Sequence, residues 1–387
     1  MQNFEFSLPT KVYFGKNKIT NIKNHLKDYN KILITYGGGS VKKFGIMDDV
    51  KKVLKNNDID YEEFGGIQSN PKIKNVRKGI DFIKKNEIDF ILAVGGGSVI
   101  DSSKAMACGV YSENDVWDYF TGKEEIKKAI PMGVVLTLAA TGSEMNINSV
   151  LINEKTKQKM AIHSKHVLPK FAVLDPTYTM SVPPYYTACG VSDIMAHTFE
   201  QYFSWNKEAE VSDRLSESIL DVCIKNGPIA YENGEDYIAR SNLLWSSTLA
   251  LNGLLSLGKQ TDWASHKIAH ELSAHYGIAH GATLSIIFPA WMEYVLTEKT
   301  RWKFDQFGRN VWGVEGKNED VAEQSIALLR DFFESMDLPI YLEDVDVSDK
   351  KFEIMAKNIE EVYGEIGNFK KLNYKDIIKI YKIAHKR

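Results

Sequence analysis

The chain has 387 residues, of which 44% are hydrophobic and 26% charged, and its formal net charge is −3. This length and composition predict a globular protein of about two domains. Lys and Arg form no dense run, which argues against nucleic acid as a partner. The longest apolar stretch, around residues 129–140, is much shorter than the roughly 20 residues of a transmembrane helix, so we expect no membrane partner.

The cysteines indicate a reducing compartment. Cys108, Cys189 and Cys223 are odd in number and widely spaced, which argues against a disulfide framework. Residues 1–6 contain no basic segment followed by an apolar one, so no secretory signal is predicted. We therefore expect a cytoplasmic protein.

Short apolar runs alternate with helical patterns in the N-terminal half. Runs at 31–36, 90–94, 133–138 and 171–174 predict strands, and helices are predicted between them. Such alternation is typical of βαβ units, which build a parallel sheet. The first half is therefore predicted to be an α/β domain.

The pattern changes near residue 185. Amphipathic patterns at 189–203, 212–225 and 238–255 predict long helices, and isolated strand patterns are nearly absent. The prolines Pro183 and Pro184 prevent a helix from continuing through this point. We place the domain boundary there, with an α/β domain at 1–182 and a helical domain at 183–387.

Two of the predicted strands end in the same G-G-G-S tetrapeptide, at 37–40 and 95–98. Glycines between a strand and a helix let backbone N–H groups approach a phosphate closely, so two such loops can hold a dinucleotide. Neither loop fits G-x-G-x-x-G, and simple tight turns are the alternative. Asp101, which follows the second loop, fits the end of a capping box with Ser98 and also a contact for the nicotinamide ribose, and the two roles are compatible. A third polar turn at 137–144 follows the 133–138 strand.

The first loop also bears on the choice of dinucleotide. An acidic residue after the first nucleotide-binding strand would accept the ribose 2′-OH of NAD and repel a 2′-phosphate. Residues 37–40 contain no acid, and Lys42 and Lys43 follow directly. We therefore expect NADP(H) to be preferred over NAD(H).

Histidines and one aspartate have the spacing of a metal site. Asp193 and His197 are four residues apart, as are His266 and His270, and His280 follows. Residues four apart lie on one face of a helix, so each pair can present two side chains to one ion. Imidazole with carboxylate suits Fe(II), Zn(II) or Mn(II).

Four segments together resemble the iron-containing (group III) alcohol dehydrogenase family. They are G-G-G-S-V-I-D at 95–101, T-G-S-E at 141–144, G-V-S-D-I-M-A-H-T-F-E at 190–200 and H-K-I-A-H-E-L-S-A-H-Y-G-I-A-H-G at 266–281. Within that family, the Y-G-G-G-S-V-K-K-x-G segment at 36–45 is most similar to bacterial NADPH-dependent butanol dehydrogenases and aldehyde reductases.

The resemblance implies a Rossmann-like, parallel-sheet dinucleotide-binding domain, an all-helical metal-binding domain, and a metal in the cleft between them. This architecture is shared with dehydroquinate synthase. The implied metal ligands are Asp193, His197, His266 and His280. His270 then lies outside the ligand set as a proton-relay residue, unlike the pairing that spacing alone suggests.

The resemblance also extends the predicted cofactor site to Asn146, Lys159 and Tyr178. A solvated lysine is the alternative for Lys159, because Lys155 and Lys157 lie in the same run. The residues predicted to contact the dinucleotide are Gly37, Gly38, Gly39, Ser40, Lys43, Gly95, Gly96, Gly97, Ser98, Asp101, Thr137, Leu138, Asn146, Lys159 and Tyr178. The remaining polar residues of the motifs, Glu200, Glu271 and His275, are expected to support the site or the fold.

The implied activity is hydride transfer between a nicotinamide and a short-chain primary alcohol or aldehyde of the butanol/butyraldehyde type. One Fe(II) or Zn(II) ion would act as Lewis acid, and His270 would be catalytic with the metal ligands. Four aromatic residues are candidates for either a substrate pocket or plain core: Phe203, Trp245, Trp263 and Trp291. A homodimer is also implied, for which the predicted N-terminal strand at 11–14 offers an exposed edge.

Two other functions stay open at this point. A lyase like dehydroquinate synthase would need several basic residues near the metal, whereas the 190–200 and 266–281 segments contain only Lys267. A metal- or nucleotide-binding sensor would need neither a substrate pocket nor His270.

Overall fold

The structure is a computed structural model that describes residues 1–316 and 318–386. The chain divides into two compact units. The α/β unit comprises Ser7–Val182 and Glu235–Asn252, and the helical unit comprises Met1–Phe6, Pro183–Gly234 and Gly253–Arg387.

The strands of the described chain lie in the α/β unit. They are β1 (Lys11–Phe14), β2 (Lys31–Tyr36), β3 (Asp60–Phe64), β4 (Phe90–Gly95), β5 (Met132–Leu136), β6 (Asn148–Asn153), β7 (Gln158–His163) and β8 (Phe171–Leu174). Six of them form a parallel sheet in the order β1-β8-β5-β4-β2-β3, and β6 pairs with β7 antiparallel. The prediction of a parallel α/β fold is confirmed.

The central strands are apolar because helices cover both faces of a parallel sheet. Every residue of β4 and β5 is buried, and so are Ile32, Leu33 and Ile34 in β2. Two apolar cores flank the sheet, one containing Leu33 and the other containing Ile34. Successive side chains of β2 therefore point into opposite cores.

The helices are α1 (Lys23–Leu26), α2 (Ser40–Lys43), α3 (Ile46–Lys55), α4 (Ile73–Asn86), α5 (Gly97–Gly109), α6 (Trp117–Phe120), α7 (Pro184–Tyr202), α8 (Glu210–Glu232), α9 (Tyr237–Ala250), α10 (Ala264–Tyr276), α11 (His280–Val295), α12 (Arg301–Val311), α13 (Asn318–Glu334), α14 (Phe352–Tyr363) and α15 (Tyr374–Ile383). Short 3-10 helices occupy Lys18–Ile22, Ser143–Met145, Lys165–Val167, Pro176–Thr179, Glu343–Val345 and Asp349–Lys351.

The order of the strands creates a switch point between β2 and β4. The chain leaves β2 toward β3 on one side, and later enters β4 on the other side of β2. In doubly wound sheets, ligands bind outside the carboxyl ends of strands at such a point. The two G-G-G-S segments follow β2 and β4, so the fold brings them to this crevice.

One segment lies in a different unit from the one we predicted. The helix expected at 238–255 was placed in the helical domain, but α9 belongs to the α/β unit. Thr248 Oγ1 donates to Glu144 Oε1 at 2.6 Å, and Arg240 donates to the carbonyl of Val182. These side-chain bonds to Glu144 and Val182 join α9 to the α/β unit, and helical periodicity does not reveal them.

The helical unit contains no strand among its described residues. None of the helices in the described part of the chain combines the length and hydropathy that a membrane-spanning segment requires.

Candidate functional site

Three predicted ligands meet in the helical unit. Asp193 lies in the middle of α7, His266 in the first turn of α10, and His280 at the start of α11. One ligand atom from each lies within 4.8 Å of the others. Asp193 and His266 are 3% and 5% exposed, so the three side chains converge at a buried point. A carboxylate with imidazoles in this arrangement fits one divalent transition-metal ion.

The fourth predicted ligand, His197, lies beside this set. Its Nδ1 is 3.8 Å from Asp193 Oδ1, and its ring centroid is 4.7 Å from that of His266. Nδ1 of His197 is buried and has no hydrogen-bond partner among the described residues. Burial lowers the pKa of His197 to about 4, which keeps the imidazole in the neutral form that binds metals. This nitrogen can therefore bind a cation. His197 is nevertheless outside the group of three residues whose ligand atoms lie within 4.8 Å of one another.

Glu200 orients His266. Nδ1 of His266 lies 2.8 Å from Glu200 Oε1, which leaves Nε2 as the ring nitrogen for an ion. The same carboxylate accepts the backbone N–H groups of His266 at 2.9 Å and Trp263 at 2.5 Å. Burial raises the pKa of Glu200 to about 8 against the lowering effect of these bonds. Glu200 thus holds both the ring and the backbone of His266, one of the three converging side chains.

The turn before α10 is strained and tightly held. Trp263 has φ +67°, a left-handed conformation that is unusual for a bulky residue. Its indole Nε1 donates to Thr261 Oγ1, and neighbouring Asp262 accepts the backbone N–H groups of Asn368 and Phe369 at 2.7 Å. These bonds explain how the strained turn persists. No sequence motif indicated Asp262, whose contribution depends on a segment 106 residues away.

A close helix contact positions His280. A Cβ on Gly281 would lie 2.0 Å from the carbonyl oxygen of Cys189 on α7. Ser192 Oγ donates to the carbonyl of Gly281 at 2.9 Å. Only glycine permits this approach of α11 to α7, which brings His280 to the neighbourhood of Asp193.

His270 lies next to the cluster without joining it. Its ring centroid is 6.3 Å from that of His266 and 5.2 Å from that of His280. His275 and Glu271, by contrast, contact Asn358 on α14. One side of α10 therefore faces the three converging side chains, and another side packs against α14.

The four aromatic residues considered for a substrate pocket lie in different surroundings. Phe203 and Trp291 are buried among other aromatic rings of the helical unit. Trp245 is 40% exposed in the α/β unit and contacts Phe14. Of these four, only Trp263 lies beside the three converging side chains, with its ring centroid 5.3 Å from that of His266.

In the α/β unit, the first glycine loop follows β2. The carbonyl of Gly37 accepts the N–H of Gly66, and Gly39 has φ +111°. A Cβ on Gly38 would meet nothing within 4 Å, so the backbone there is open to an approaching ligand. Ser40 and Lys43 are both exposed at the start and end of α2.

The second glycine loop is packed closely. A Cβ would lie 2.6 Å from the Val99 side chain at Gly95, 3.1 Å from Leu138 at Gly96, and 2.5 Å from Thr141 at Gly97. Ser98 follows in the first turn of α5, whose N-terminal N–H groups favour anions. The N–H of Thr137 donates to Gly95, which joins this loop to the third polar turn. These contacts leave little room for a side chain at any of the three glycines.

Asp101 does not form the predicted capping box. The residue before the first turn of α5 is Gly96, not Ser98, because the helix begins at Gly97. Asp101 instead accepts hydrogen bonds from Ser143 Oγ at 2.6 Å and Val150 N–H at 2.9 Å. Its carboxylate therefore ties α5 to the third turn and to β6, and burial raises its pKa.

Lys104 is a residue that the sequence analysis missed. Its ammonium is fully buried and lies within 3.0 Å of five oxygens of Ser143, Asn146 and Asn148. Burial lowers the pKa of Lys104 to about 8. The separation of three residues from Asp101 places both on one face of α5, a signal that was readable. Asn146 uses its amide within this network, because Nδ2 also donates to Gly142.

Lys159 and Tyr178 were predicted from the resemblance. Lys159 is only 8% exposed, whereas Lys155 and Lys157 are exposed, so the alternative of a solvated lysine is wrong. The hydroxyl of Tyr178 donates to Asp49 Oδ2 at 2.9 Å. Contacts of either side chain with a dinucleotide stay predictions.

The chain was also compared with known proteins. Residues 9–176 match the family model described as iron-containing alcohol dehydrogenase, and residues 187–385 match the C-terminal model of that family. NADH-dependent butanol dehydrogenase A of Clostridium acetobutylicum is 46% identical over 390 residues, covering 100% of both chains. The NADPH-dependent aldehyde reductase YqhD of Escherichia coli is 43% identical, covering 93% of this chain and 94% of its own.

A solved structure agrees closely in fold. The crystal structure of NADH-dependent butanol dehydrogenase A from Thermotoga maritima matches with a TM-score of 0.97 at 38% identity, covering 100% of this chain and 99% of that one. The converging ligands on α7, α10 and α11 and the glycine loops after β2 and β4 thus lie in a chain matched along nearly its whole length. This chain belongs to the iron-containing alcohol dehydrogenase family.

Proposed function

We propose that this chain is a metal-dependent, NAD(P)H-linked alcohol dehydrogenase or aldehyde reductase for short-chain primary alcohols and aldehydes. The observation that carries the proposal is the convergence of Asp193, His266 and His280 within 4.8 Å in a member of this family. The printed names of the similar butanol dehydrogenases and aldehyde reductase support the substrate class.

The protein's own groups have separate roles in this proposal. Asp193, His197, His266 and His280 hold the ion, and Glu200 keeps the His266 ring in the ligating orientation. A bound Fe(II) or Zn(II) ion would supply Lewis-acid polarisation of the substrate oxygen. His270 exchanges the proton that reaches or leaves this oxygen, and the apolar face of Trp263 borders the alkyl group.

The glycine loops bind the dinucleotide in this proposal. Gly38 and Gly39, which follow Gly37 after β2, offer open backbone, and the start of α5 offers N–H groups after β4. We propose that NADPH is accepted and preferred over NADH, because residues 37–40 carry no acid. Similar proteins are named for either dinucleotide, so this preference is a separate claim from the activity.

We also propose a cytoplasmic homodimer. Cys108, Cys189 and Cys223 are buried and free, as in proteins of a reducing compartment. Strand β1 pairs only with β8 among the described strands, so its outer edge can pair with a second chain. Light scattering of the purified protein would test the dimer.

The activity is tested by oxidation of NADPH with butyraldehyde after the metal has been stripped. Fe(II) and Zn(II) are added back separately under anaerobic conditions, and NADH is run in parallel. We expect turnover that requires added metal and a higher kcat/KM with NADPH. Absence of turnover with both metals and both dinucleotides would overturn the proposed activity.

A matched pair of variants on α10 separates the metal site from the fold. His266→Asn removes a converging ligand, so bound metal and turnover should both be lost. His275→Asn alters a histidine of the same helix that contacts Asn358 instead. Loss of metal in both variants would indicate that damage to α10, rather than loss of a ligand, explains the result.

A further inference from the structure

The carboxylate of Glu63 lies between two lysines beside the first glycine loop. Lys42 Nζ is 2.8 Å from Glu63 Oε2, and Lys51 Nζ is 2.5 Å from Oε1. Lys42 belongs to α2, which begins directly after the loop, and its ammonium also lies 4.5 Å from the centre of the Tyr36 ring. A 2′-phosphate bound here would need the Lys42 ammonium, which already pairs with Glu63.

Glu63 lies in the sheet at a position where an acid can contact the adenosine ribose of a dinucleotide. Glu63 lies on β3 opposite Ile34 of β2, near the carboxyl ends of both strands. It follows the glycines by roughly two dozen residues, which is about where dinucleotide-binding folds place an acid that contacts the adenosine ribose. Residues 37–40 carry no acid, and Glu63 comes near this loop only through the pairing of β3 with β2.

The charge state of the group is well defined. Burial alone would raise the pKa of Glu63, but the hydrogen bonds from Lys42 and Lys51 outweigh it and hold the pKa below its ordinary value. The bond to Glu63 in turn raises the pKa of Lys42. At neutral pH the three side chains therefore carry one net positive charge instead of two.

We propose that Glu63 is a specificity-determining residue that weakens the preference for a 2′-phosphorylated dinucleotide. Its carboxylate competes with the 2′-phosphate for Lys42 and repels that phosphate, while it is compatible with a ribose 2′-OH. This inference rests on the proposed function, namely that the loop at 37–40 binds the adenosine half of the dinucleotide. The two lysines make the site permissive for NADPH, and Glu63 keeps it usable by NADH.

Calorimetric binding of 2′,5′-ADP and 5′-AMP tests the inference without metal or turnover. We expect Glu63→Gln to increase the affinity for 2′,5′-ADP relative to 5′-AMP by roughly fivefold, the size of effect that one nearby charge has on a partly exposed phosphate. Glu63→Asp, which keeps the charge, should stay near the parent ratio. The gain should shrink at about 1 M salt, where screening is strong.

Glu62→Gln is the matched control. Glu62 is the neighbouring residue of β3, so its side chain points to the opposite face of the sheet, and it pairs with Lys31 at 3.1 Å. Its binding ratio should equal that of the parent. In a Lys42→Met background, Glu63→Gln should keep only the part of its effect that comes from the release of Lys51 and from the removed repulsion.

The outcomes distinguish this inference from the proposed function. Binding of both nucleotides with the same ratio in the parent, Glu63→Gln and Glu62→Gln proteins would overturn the role of Glu63 and leave the dehydrogenase proposal intact. If neither nucleotide binds the parent, the loop is not a dinucleotide site, and both this inference and the cofactor assignment fail. Melting temperatures measured beside each titration identify any variant that is poorly folded.

Discussion

Nδ1 of His266 lies 2.8 Å from Oε1 of Glu200, a residue on the neighbouring helix α7. The same carboxylate accepts two backbone N–H groups at the start of α10. One side chain therefore fixes both the ring and the backbone of a metal-ligand candidate. Support of this kind is common around metal sites, where the partner of a ligating imidazole tunes its orientation.

Glu200→Gln should weaken metal binding by about 10–100-fold, because an amide has one acceptor oxygen, whereas both oxygens of Glu200 hold the start of α10 and one of them contacts the His266 ring. Competition with a chromogenic chelator measures the affinity of the apoprotein for Zn(II). Glu271→Gln is the control, since Glu271 also belongs to the motif but contacts Asn358. Equal affinity in the parent and Glu200→Gln proteins would contradict the supporting role.

His270 should be needed for proton exchange rather than for metal binding. We expect His270→Asn to retain the metal content of the parent and to lower kcat by about 10²-fold, the usual contribution of one acid–base group. Elemental analysis and the pH profile of kcat check both points. Loss of the metal with the activity would instead make His270 a ligand.

The metal-free protein should lose stability in acid through His197. Burial lowers the pKa of His197 to about 4 from 6.5, so between these values the unfolded chain binds a proton that the native chain does not. The contribution of His197 to the free energy of unfolding should therefore fall by about 3 kcal/mol as pH decreases from about 6.5 to 4, while the raised pKa of Glu200 acts in the opposite direction. Urea unfolding at pH 7 and pH 4.5 measures this loss.

The comparison with a variant isolates the contribution of His197. His197→Asn should show a smaller loss between the two pH values, whereas His275→Asn should behave like the parent. An unchanged loss in His197→Asn would assign the acid sensitivity to other groups.

Gly281→Ala should disturb both the fold and the convergence of His280 with Asp193 and His266. The added Cβ would lie 2.0 Å from the carbonyl oxygen of Cys189, so α11 must move away from α7. We expect a loss of about 3 kcal/mol in the free energy of unfolding, together with weaker metal binding. Gly227→Ala is a milder control, because its nearest neighbour would be the Val191 side chain at 3.1 Å. Full metal affinity in Gly281→Ala would show that the helix contact does not position His280.

Lys104→Met should destabilise the α/β unit by about 3–5 kcal/mol, because several buried oxygens of the 143–148 loop lose their cation. Urea unfolding measures the change. Lys84→Met, on the exposed face of α4, should leave stability nearly unchanged. If both variants unfold at the same urea concentration, Lys104 is not the anchor of the loop.

Much of the fold could be predicted from local patterns. The runs of β2 and β8 were located to the residue, because the strands inside a parallel sheet are mostly apolar. Strand β3, D-Y-E-E-F, was not predicted because it lies at the edge of the sheet and carries polar side chains. Its identity depends on pairing with β2, which no local pattern reveals.

The sequence by itself determined which residue types are available for chemistry. The spacing of Asp193 and His197 on one helix, and the glycines after two strands, follow from helix and turn geometry alone. Motif resemblance then separated His270 from the predicted ligands. The structure is compatible with that separation, because His270 lies beside the three converging side chains and not among them.

Only the tertiary structure decided which of these residues meet. The approach of α11 to α7 at Gly281, the support of His266 by Glu200 and the pairing of Lys42 with Glu63 join residues that are 21 to 92 positions apart. The assignment of Asp101 to loop anchoring instead of capping likewise required the position of Ser143. The physical reason is the same in each case: periodicity records which face of an element is buried, whereas a site depends on how distant elements pack.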